Sequence, residues 1–364
     1  MIDRAFKRLV RHIDGFLLGC LFLTLLLGLF VLYSASGENW GRIIAQLTNI
    51  TVALVIMWLA ANIPPQHLER IALPLYILGL LMLIGVALFG EITNGARRWL
   101  DLGVARIQPS ELMKIAVPMM LAWYFAKREE SLQLTDYAIA GIFLAIPAAF
   151  ILKQPDLGTT LLIVGSGIFV IYLAGFSWKL IISLAIGAPA LAPVLWTMLH
   201  DYQRRRIIIL FDPHQDPLGA GYHTIQASIA IGSGGLAGKG WLNGTQSQLD
   251  FIPERTTDFI LAVFGEEFGL LGNLLLLLLF TLIIGRGLYI AAYAQNTFCR
   301  LLAGSITLTF FTYAFVNIGM VSGILPVVGV PLPLISYGGT SLVTLMLGFG
   351  ILMSIQTHKK LVAT

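Results

Sequence analysis

The stretch LDFIPERTTDFILAVFGEEFGLLG, Leu249 to Gly272, decides how the chain is read. It opens polar, with Glu254, Arg255 and Asp258, and passes into an apolar run that still carries Glu266 and Glu267. A carboxylate where a loop enters a bilayer costs free energy unless it is solvated, paired or used. The pattern predicts a loop feeding a membrane helix, with Asp258 in the helix's first turn. Asp258 is then either an acid favoured by the positive end of the helix or the working group of a membrane-embedded site. Glu266 and Glu267 lie about two turns deeper, too far to share a reacting atom with it. They read as polar contacts inside a helix bundle, beside the close-packing pair Gly265 and Gly269.

The whole chain agrees with a membrane setting. Hydrophobic residues make up 57% and charged residues 12%, with a mean hydropathy of +0.84. Soluble domains carry roughly 25% charged residues. So much apolar surface finds no room in one core, and only helices satisfy their own backbone in lipid without closing a barrel. The net charge of +4 comes from scattered cations, with no basic run interleaved with aromatics, so nucleic acid is not an expected partner. Two cysteines give no disulfide framework. Basic residues Arg4, Lys7, Arg8 and Arg11 precede an apolar run of about 19 residues, longer than the roughly 7–15 of a cleaved leader. That run is expected to be a retained first helix.

Apolar segments fall near 15–34, 43–62, 71–89, 110–126, 137–153, 158–175, 179–199, 258–285, 298–321 and 340–357. The expected fold class is therefore all-α: a polytopic membrane protein of about ten transmembrane helices, each near the 20 residues a bilayer needs. Residues 1–364 form a single domain, with a large extracytoplasmic loop, about 200–257, between helices 7 and 8. Only Gln154 to Leu157 separates segments 137–153 and 158–175, which could form a hairpin or include a tilted or broken helix. An even number of helices puts both termini on one side with Lys127, Arg128, Arg286 and Arg300. By the positive-inside tendency that side is cytoplasmic. The other side is not poor in cations: Arg97, Arg98, Arg106, Lys153, Arg204 to Arg206, Lys239 and Arg255 fall there, and they need an anionic partner.

Several groups could carry chemistry. In GEITNGARRWLDLGVARIQPS, residues 90–110, arginines among aromatics and glycines serve either as an interfacial anchor or as a diphosphate clamp. Glu111 and Lys114 share a helix face at i,i+3 spacing, as a structural ion pair or as a pair facing substrate. Asp156 is explained by helix capping, yet its depth also suits a second carboxylate at the site. The glycine-rich IGSGGLAGKGWLNGTQSQ around Lys239 is either a mobile loop or a backbone anion site, and it fits no nucleotide fingerprint. Ile225 to Ile231 could form a short amphipathic helix in the interface. VSGILPVVGVPLPLISYGGTS, with three prolines, is too broken for a helix and too apolar for a free loop. A re-entrant segment fits, bringing Ser336, Tyr337, Gly338 and Gly339 to the outer surface. No metal-ligand spacing of His or Cys occurs.

Taken together, ARRWLDLG, QPSELMK, QPDLGT, DPLGAGYH, IGSGGLAGKGW, FIPERTTDFI, NIGMVSGILPVVGVPLPLISYGG and MSIQTHKK resemble the SEDS family (shape, elongation, division and sporulation). YSASG at 33–37 extends the likeness forward. LDFIPER and TQSQ look most like the rod-shape-determining branch. The resemblance implies a peptidoglycan glycosyltransferase polymerising lipid II at the outer face of the cytoplasmic (inner) membrane. It implies partnership with a class B penicillin-binding protein and with elongation-complex membrane proteins. By the resemblance Asp258 is the essential aspartate, a general base or the group that orients the acceptor hydroxyl. The outer-loop arginine region maps to Arg97 and Arg98, and the Glu-x-x-Lys pair to Glu111 and Lys114.

Substrate-binding candidates are Arg97, Arg98, Glu111, Lys114, Asp156, Lys239, Arg255 and Ser336. No covalently bound cofactor is expected, and a divalent cation, Mg or Mn, suits the diphosphate. Two rival readings stand beside this one: a lipid II flippase or transporter, and a non-catalytic scaffold for the partner synthase.

Overall fold

The computed structural model describes residues 11–93, 96–101, 106–129, 132–176, 220–249 and 251–358, with isolated positions 182, 197, 204, 208–210 and 212. The chain runs up and down through helices α1 (Gly15–Ala35), α2 (Trp40–Ala61) and α3 (Pro65–Phe89). Three short strands follow, β1 (Glu91–Thr93), β2 (Ala96–Asp101) and β3 (Arg106–Ile107). Next come α4 (Pro109–Ala126), α5 (Leu134–Lys153) and α6 (Leu157–Leu173), and then α7 (Ala220–Ser233) and α8 (Thr245–Gln248). The last helices are α9 (Ile260–Ala292), α10 (Thr297–Val321) and α11 (Thr340–Thr357). Among the described residues seven helices are long and apolar enough to cross a membrane: α1, α2, α3, α5, α9, α10 and α11. The 17-residue α6 is apolar but shorter. This is an integral membrane protein, mostly helical. The expected segment 179–199 lies outside the described residues except at 182 and 197, as does much of 200–219.

Local chemistry explains where the helices start. Asp14 accepts from the Leu17 amide at 2.9 Å, Asn39 from Arg42 at 3.2 Å and Asn296 from Cys299 at 2.8 Å. Each such cap is worth about 1 kcal/mol. Pro65 and Pro109 open α3 and α4, where a missing N–H costs nothing. A tight turn through Gln154, Pro155 and Asp156 folds α5 and α6 into an antiparallel hairpin. The centre of the bundle is α10, whose spanning window is 72% buried against 28% in α2, α3 and α9. Around it pack α4, α6 and α9, while α2 lies along α11.

The strands are a small addition to the all-α fold, which stands as expected. They form an antiparallel sheet in the order β1-β2-β3, pairing Ile92 with Arg97, Thr93 with Ala96 and Leu100 with Ile107. The sheet caps the bundle at the end where α3 stops and α4 begins, and Leu100 reaches over Gly85 of α3.

At the opposite end the helices are tied by polar contacts. Arg286 of α9 reaches Asp14 at 2.5 Å, and Arg128 reaches Asp136 at 3.0 Å. His12, just before α1, stacks on His358, just after α11, with ring centroids 3.9 Å apart and planes within 4°. Burial, His358 and Arg11 together hold the His12 imidazole below its ordinary pKa.

The long helix α9 is broken at Gly269, where φ is 63°. There the backbone groups of Glu266, Glu267, Leu270 and Leu271 lose their normal i to i+4 partners. The glycine-rich connection after α7 replaces them. Lys239 N and Gly240 N each donate at 3.0 Å to the carbonyls of Glu266 and Glu267. Leu270 N and Leu271 N donate to Gly235 O and Leu236 O at 3.0 and 3.1 Å. Buried backbone groups need such partners. The glycines are therefore used to bring one backbone against another. Gly238 has φ +80°, and a methyl there would overlap the carbonyl of Glu267. Gly238→Ala is expected to destabilise the protein by about 3 kcal/mol. Thermal unfolding of the detergent-purified protein checks it, and an unchanged Tm would show that the packing yields.

Candidate active site

Asp258 sits in the turn before α9, two residues ahead of Ile260, not within the helix's first turn as the sequence predicts. Phe259 takes the cap position, and a run of turn residues from Pro253 carries Asp258 at half-burial. The helix stops short because the carbonyls of this turn are taken from outside. Tyr337 N donates to Thr256 O at 2.9 Å. The Ser336 hydroxyl donates to Thr257 O at 2.6 Å. The Asn317 amide donates to Asp258 O at 2.8 Å. Three consecutive carbonyls are thus held by α10 and by the segment that follows it.

That segment, residues 322–339, contains no helix or strand, yet Val330, Leu332, Leu334 and Ile335 are almost fully buried. It enters the bundle far enough for Leu334 O to lie 2.8 Å from where a side chain on Gly28 of α1 would begin. Its prolines and glycines account for the irregular backbone, which survives at such depth only inside protein. Asn317 also donates to Val330 O at 2.7 Å. The next residue back, Gly329, faces Asp258, whose Oδ2 is 3.5 Å from the position a Gly329 Cβ would occupy. On its other side the segment meets Gly158 of α6, where Val328 O lies 2.9 Å from where a side chain would begin.

Two candidate sets converge on this region. Asp156 caps α6 two residues before Gly158, accepting from Thr159 N at 3.0 Å. Arg98 donates to Gln154 O at 3.2 Å and Pro155 O at 2.6 Å, with Asp156 3.8 Å away. Arg97, its neighbour on β2, is exposed. From the other side, Lys114 of α4 is 5% exposed and donates to Glu111 Oε1 and Tyr313 Oη, both at 2.6 Å. Tyr313 lies one turn from Asn317 on α10, so the Glu111 and Lys114 pair is tied to the same helix that holds Asp258.

The remaining candidates serve the framework. Lys239 binds Glu266 Oε1 at 2.7 Å, and Glu266 also accepts from the amides of Gln246 and Ser247 at 2.9 and 3.3 Å. Glu266, read as a bundle contact, is therefore the partner of a cation assigned to substrate. Glu267 accepts from the Ser34 hydroxyl. Arg255 donates to the Ser247 carbonyl. The Ser336 hydroxyl, besides its bond to Thr257, accepts from Leu332 N at 2.8 Å and is buried.

Sequence reading missed Asn317, Tyr313, Gln46, Arg42 and His223. A polar amide inside an apolar helix is a signal in itself, and it would have flagged Asn317 and Gln46. Gln46 Nε2 donates to Ser336 O at 3.4 Å, and Arg42 donates to Thr256 Oγ1 at 3.2 Å. His223 of α7 lies against Phe259 with centroids 5.5 Å apart, and burial lowers its pKa while Glu254 pulls it up.

Fold and site define a multi-pass membrane protein in which the Asp258 and Asp156 carboxylates and the Arg98 guanidinium lie around the buried segment 322–339. The chain matches the FTSW_RODA_SPOVE model, described as cell cycle protein, over residues 15–361, and it belongs to that family. It is 53% identical over 353 residues to peptidoglycan glycosyltransferase MrdB of Escherichia coli (strain K12), covering 97% of this chain and 95% of that one. It is 36% identical to MrdB of Helicobacter pylori (strain J99) over 317 residues, 85% of this chain and 81% of that one.

Among solved structures it resembles a chain from a study of how a peptidoglycan synthase complex coordinates polymerization and crosslinking. There the TM-score is 0.83 at 28% identity, over 95% of this chain and 99% of that one. The rod shape determining protein RodA of Thermus thermophilus matches with a TM-score of 0.72 at 27% identity, over 95% and 98%.

Proposed function

We infer that the chain is a peptidoglycan glycosyltransferase of cell elongation, joining lipid II units into β-1,4 glycan strands, with Asp258 as general base. The activity rests on relatives named for it at up to 53% identity across nearly the whole chain. One observation supports the role of Asp258: a half-exposed carboxylate stands on a turn whose three carbonyls are all tied down. A base must be held within hydrogen-bond reach of the proton it removes, and rigid support keeps it there.

In the reaction, the acceptor sugar's 4-hydroxyl loses its proton to the Asp258 carboxylate. Its oxygen forms a bond to the donor's anomeric carbon, and the bond from that carbon to the diphosphate breaks. The diphosphate leaves with the electron pair, and in-line attack inverts the centre. Cations stabilise the departing charge. Arg97 is exposed and Arg98 stands beside Asp156, so these two are the diphosphate candidates, together with Lys114, which is paired with Glu111. Lys239 and Arg255 secure the polypeptide around α9.

A divalent cation, Mg or Mn, would be carried by the diphosphate oxygens with at most a carboxylate or two. Among the described residues no three His, Cys, Asp or Glu side chains gather to hold one. The fuller membrane plan is part of the same reading: about ten helices, a large outer loop over about 200–257, both termini cytoplasmic and Asp258 facing the periplasm. A class B penicillin-binding protein is the partner this reading expects, with lipid II as substrate.

Polymer formation from lipid II by the purified chain and its partner, followed by gel electrophoresis of the strands, tests the activity. Translocation of lipid II without polymer would replace it with the flippase reading. Arg97→Ala is expected to cut lipid II use about tenfold with little change in Tm, since the side chain is exposed. Matched losses of activity and Tm would make Arg97 a structural anchor.

A further inference from the structure

Asn317 is fully buried in α10, the most enclosed of the seven long apolar helices. Its amide nitrogen donates to two carbonyls from different segments, Asp258 O at 2.8 Å and Val330 O at 2.7 Å. Neither segment is helix or strand, and Asn317 gives each of these carbonyls a hydrogen bond. The two segments flank the Asp258 carboxylate, whose Oδ2 faces Gly329, the neighbour of Val330. One NH2 group thus fixes the backbone that carries the carboxylate and the backbone that lies against it. The amide oxygen of Asn317 is buried with no hydrogen-bond partner among the described residues. An orphaned polar atom costs about 1–3 kcal/mol. A leucine of similar size would avoid that penalty but would release both carbonyls.

We propose that Asn317 is a positioning residue: by bridging Asp258 and Val330 it sets where the Asp258 carboxylate stands relative to the acceptor hydroxyl. The proposal rests on Asp258 being the base. Asn317 touches no substrate in this scheme. It acts through the turn, alongside Ser336 on Thr257 and Tyr337 N on Thr256. Of the three supports it alone grips Asp258 itself.

The test uses the full chain in complex with its partner synthase and lipid II as substrate. Asn317→Leu removes the donor at nearly constant volume. The expected result is kcat lower by about tenfold with KM within about twofold, the signature of a contact needed only in the transition state. Amide hydrogen exchange should quicken in 254–260 and 328–332 while the rest of α9 and α10 is unchanged. Unchanged kcat overturns the proposal, and so does a uniform loss in which KM, Tm and exchange throughout the bundle move together.

If the leucine variant does not assemble, Asn317→Gln keeps the donor one methylene further out. It should show the same split of kcat from KM, and parental kinetics would overturn the proposal. Asp258→Asn, measured in parallel, separates the two ideas. An active Asp258→Asn protein removes the base, whereas an inactive one beside a normal Asn317→Leu removes only the positioning role.

Discussion

Asp258→Asn is expected to abolish strand polymerisation, lowering the rate by about a thousandfold or more, the upper range for loss of a general base. The amide occupies nearly the same volume but cannot accept the proton at neutral pH. The turn should survive, because Asn317 holds residue 258 by its backbone carbonyl, which the substitution keeps. Tm and association with the partner synthase should therefore match the parent. Gel-resolved glycan strands from the purified complex give the readout. Near-normal polymer would take Asp258 out of the chemistry and leave the scaffold reading in its place.

The second large effect is expected at Lys114. Its ammonium is buried and gives hydrogen bonds to Glu111 and Tyr313. Removing one member of a buried pair strands the other, which costs about 3–5 kcal/mol. Lys114→Met should therefore lower Tm sharply and abolish polymerisation. The pair Lys114→Met with Glu111→Gln should recover most of the stability, since no unpartnered charge remains, while polymerisation stays impaired. A Lys114→Met protein as stable as the parent would show that Glu111 finds another partner. Recovery of full activity in the double variant would remove the pair from the site.

Much of the fold was legible because membrane helices announce themselves by length and hydropathy. Nine of the ten apolar segments coincide with helices, and 179–199 lies outside the described residues. The irregular, buried character of 322–339 was also readable, since three prolines in an apolar background exclude both helix and free loop. The small sheet was not foreseen, although Asn94-Gly95 between alternating residues is a strong hairpin signal. Its three strands were overlooked because the surrounding hydropathy argued for a loop between spans.

Individual site residues were harder to read. Glu266 and Lys239 stand 27 positions apart, and only the break at Gly269 and the docked glycine connection bring them together. Periodicity gives no warning of such a break, because hydropathy runs on past Glu266, Glu267 and Gly269 as through one helix. Asp258 is pulled off the helix by donors from residues 317, 336 and 337. Those are tertiary partners that no local pattern reveals.

The stacked rings of His12 and His358 turn the row of helices into a closed circuit. Mechanical load applied at either end of the chain meets the same clasp before any helix peels away. Fluorophores placed near positions 12 and 358 would sit close enough to exchange energy strongly. Loss of that signal would report the first opening of the ring during extraction or unfolding.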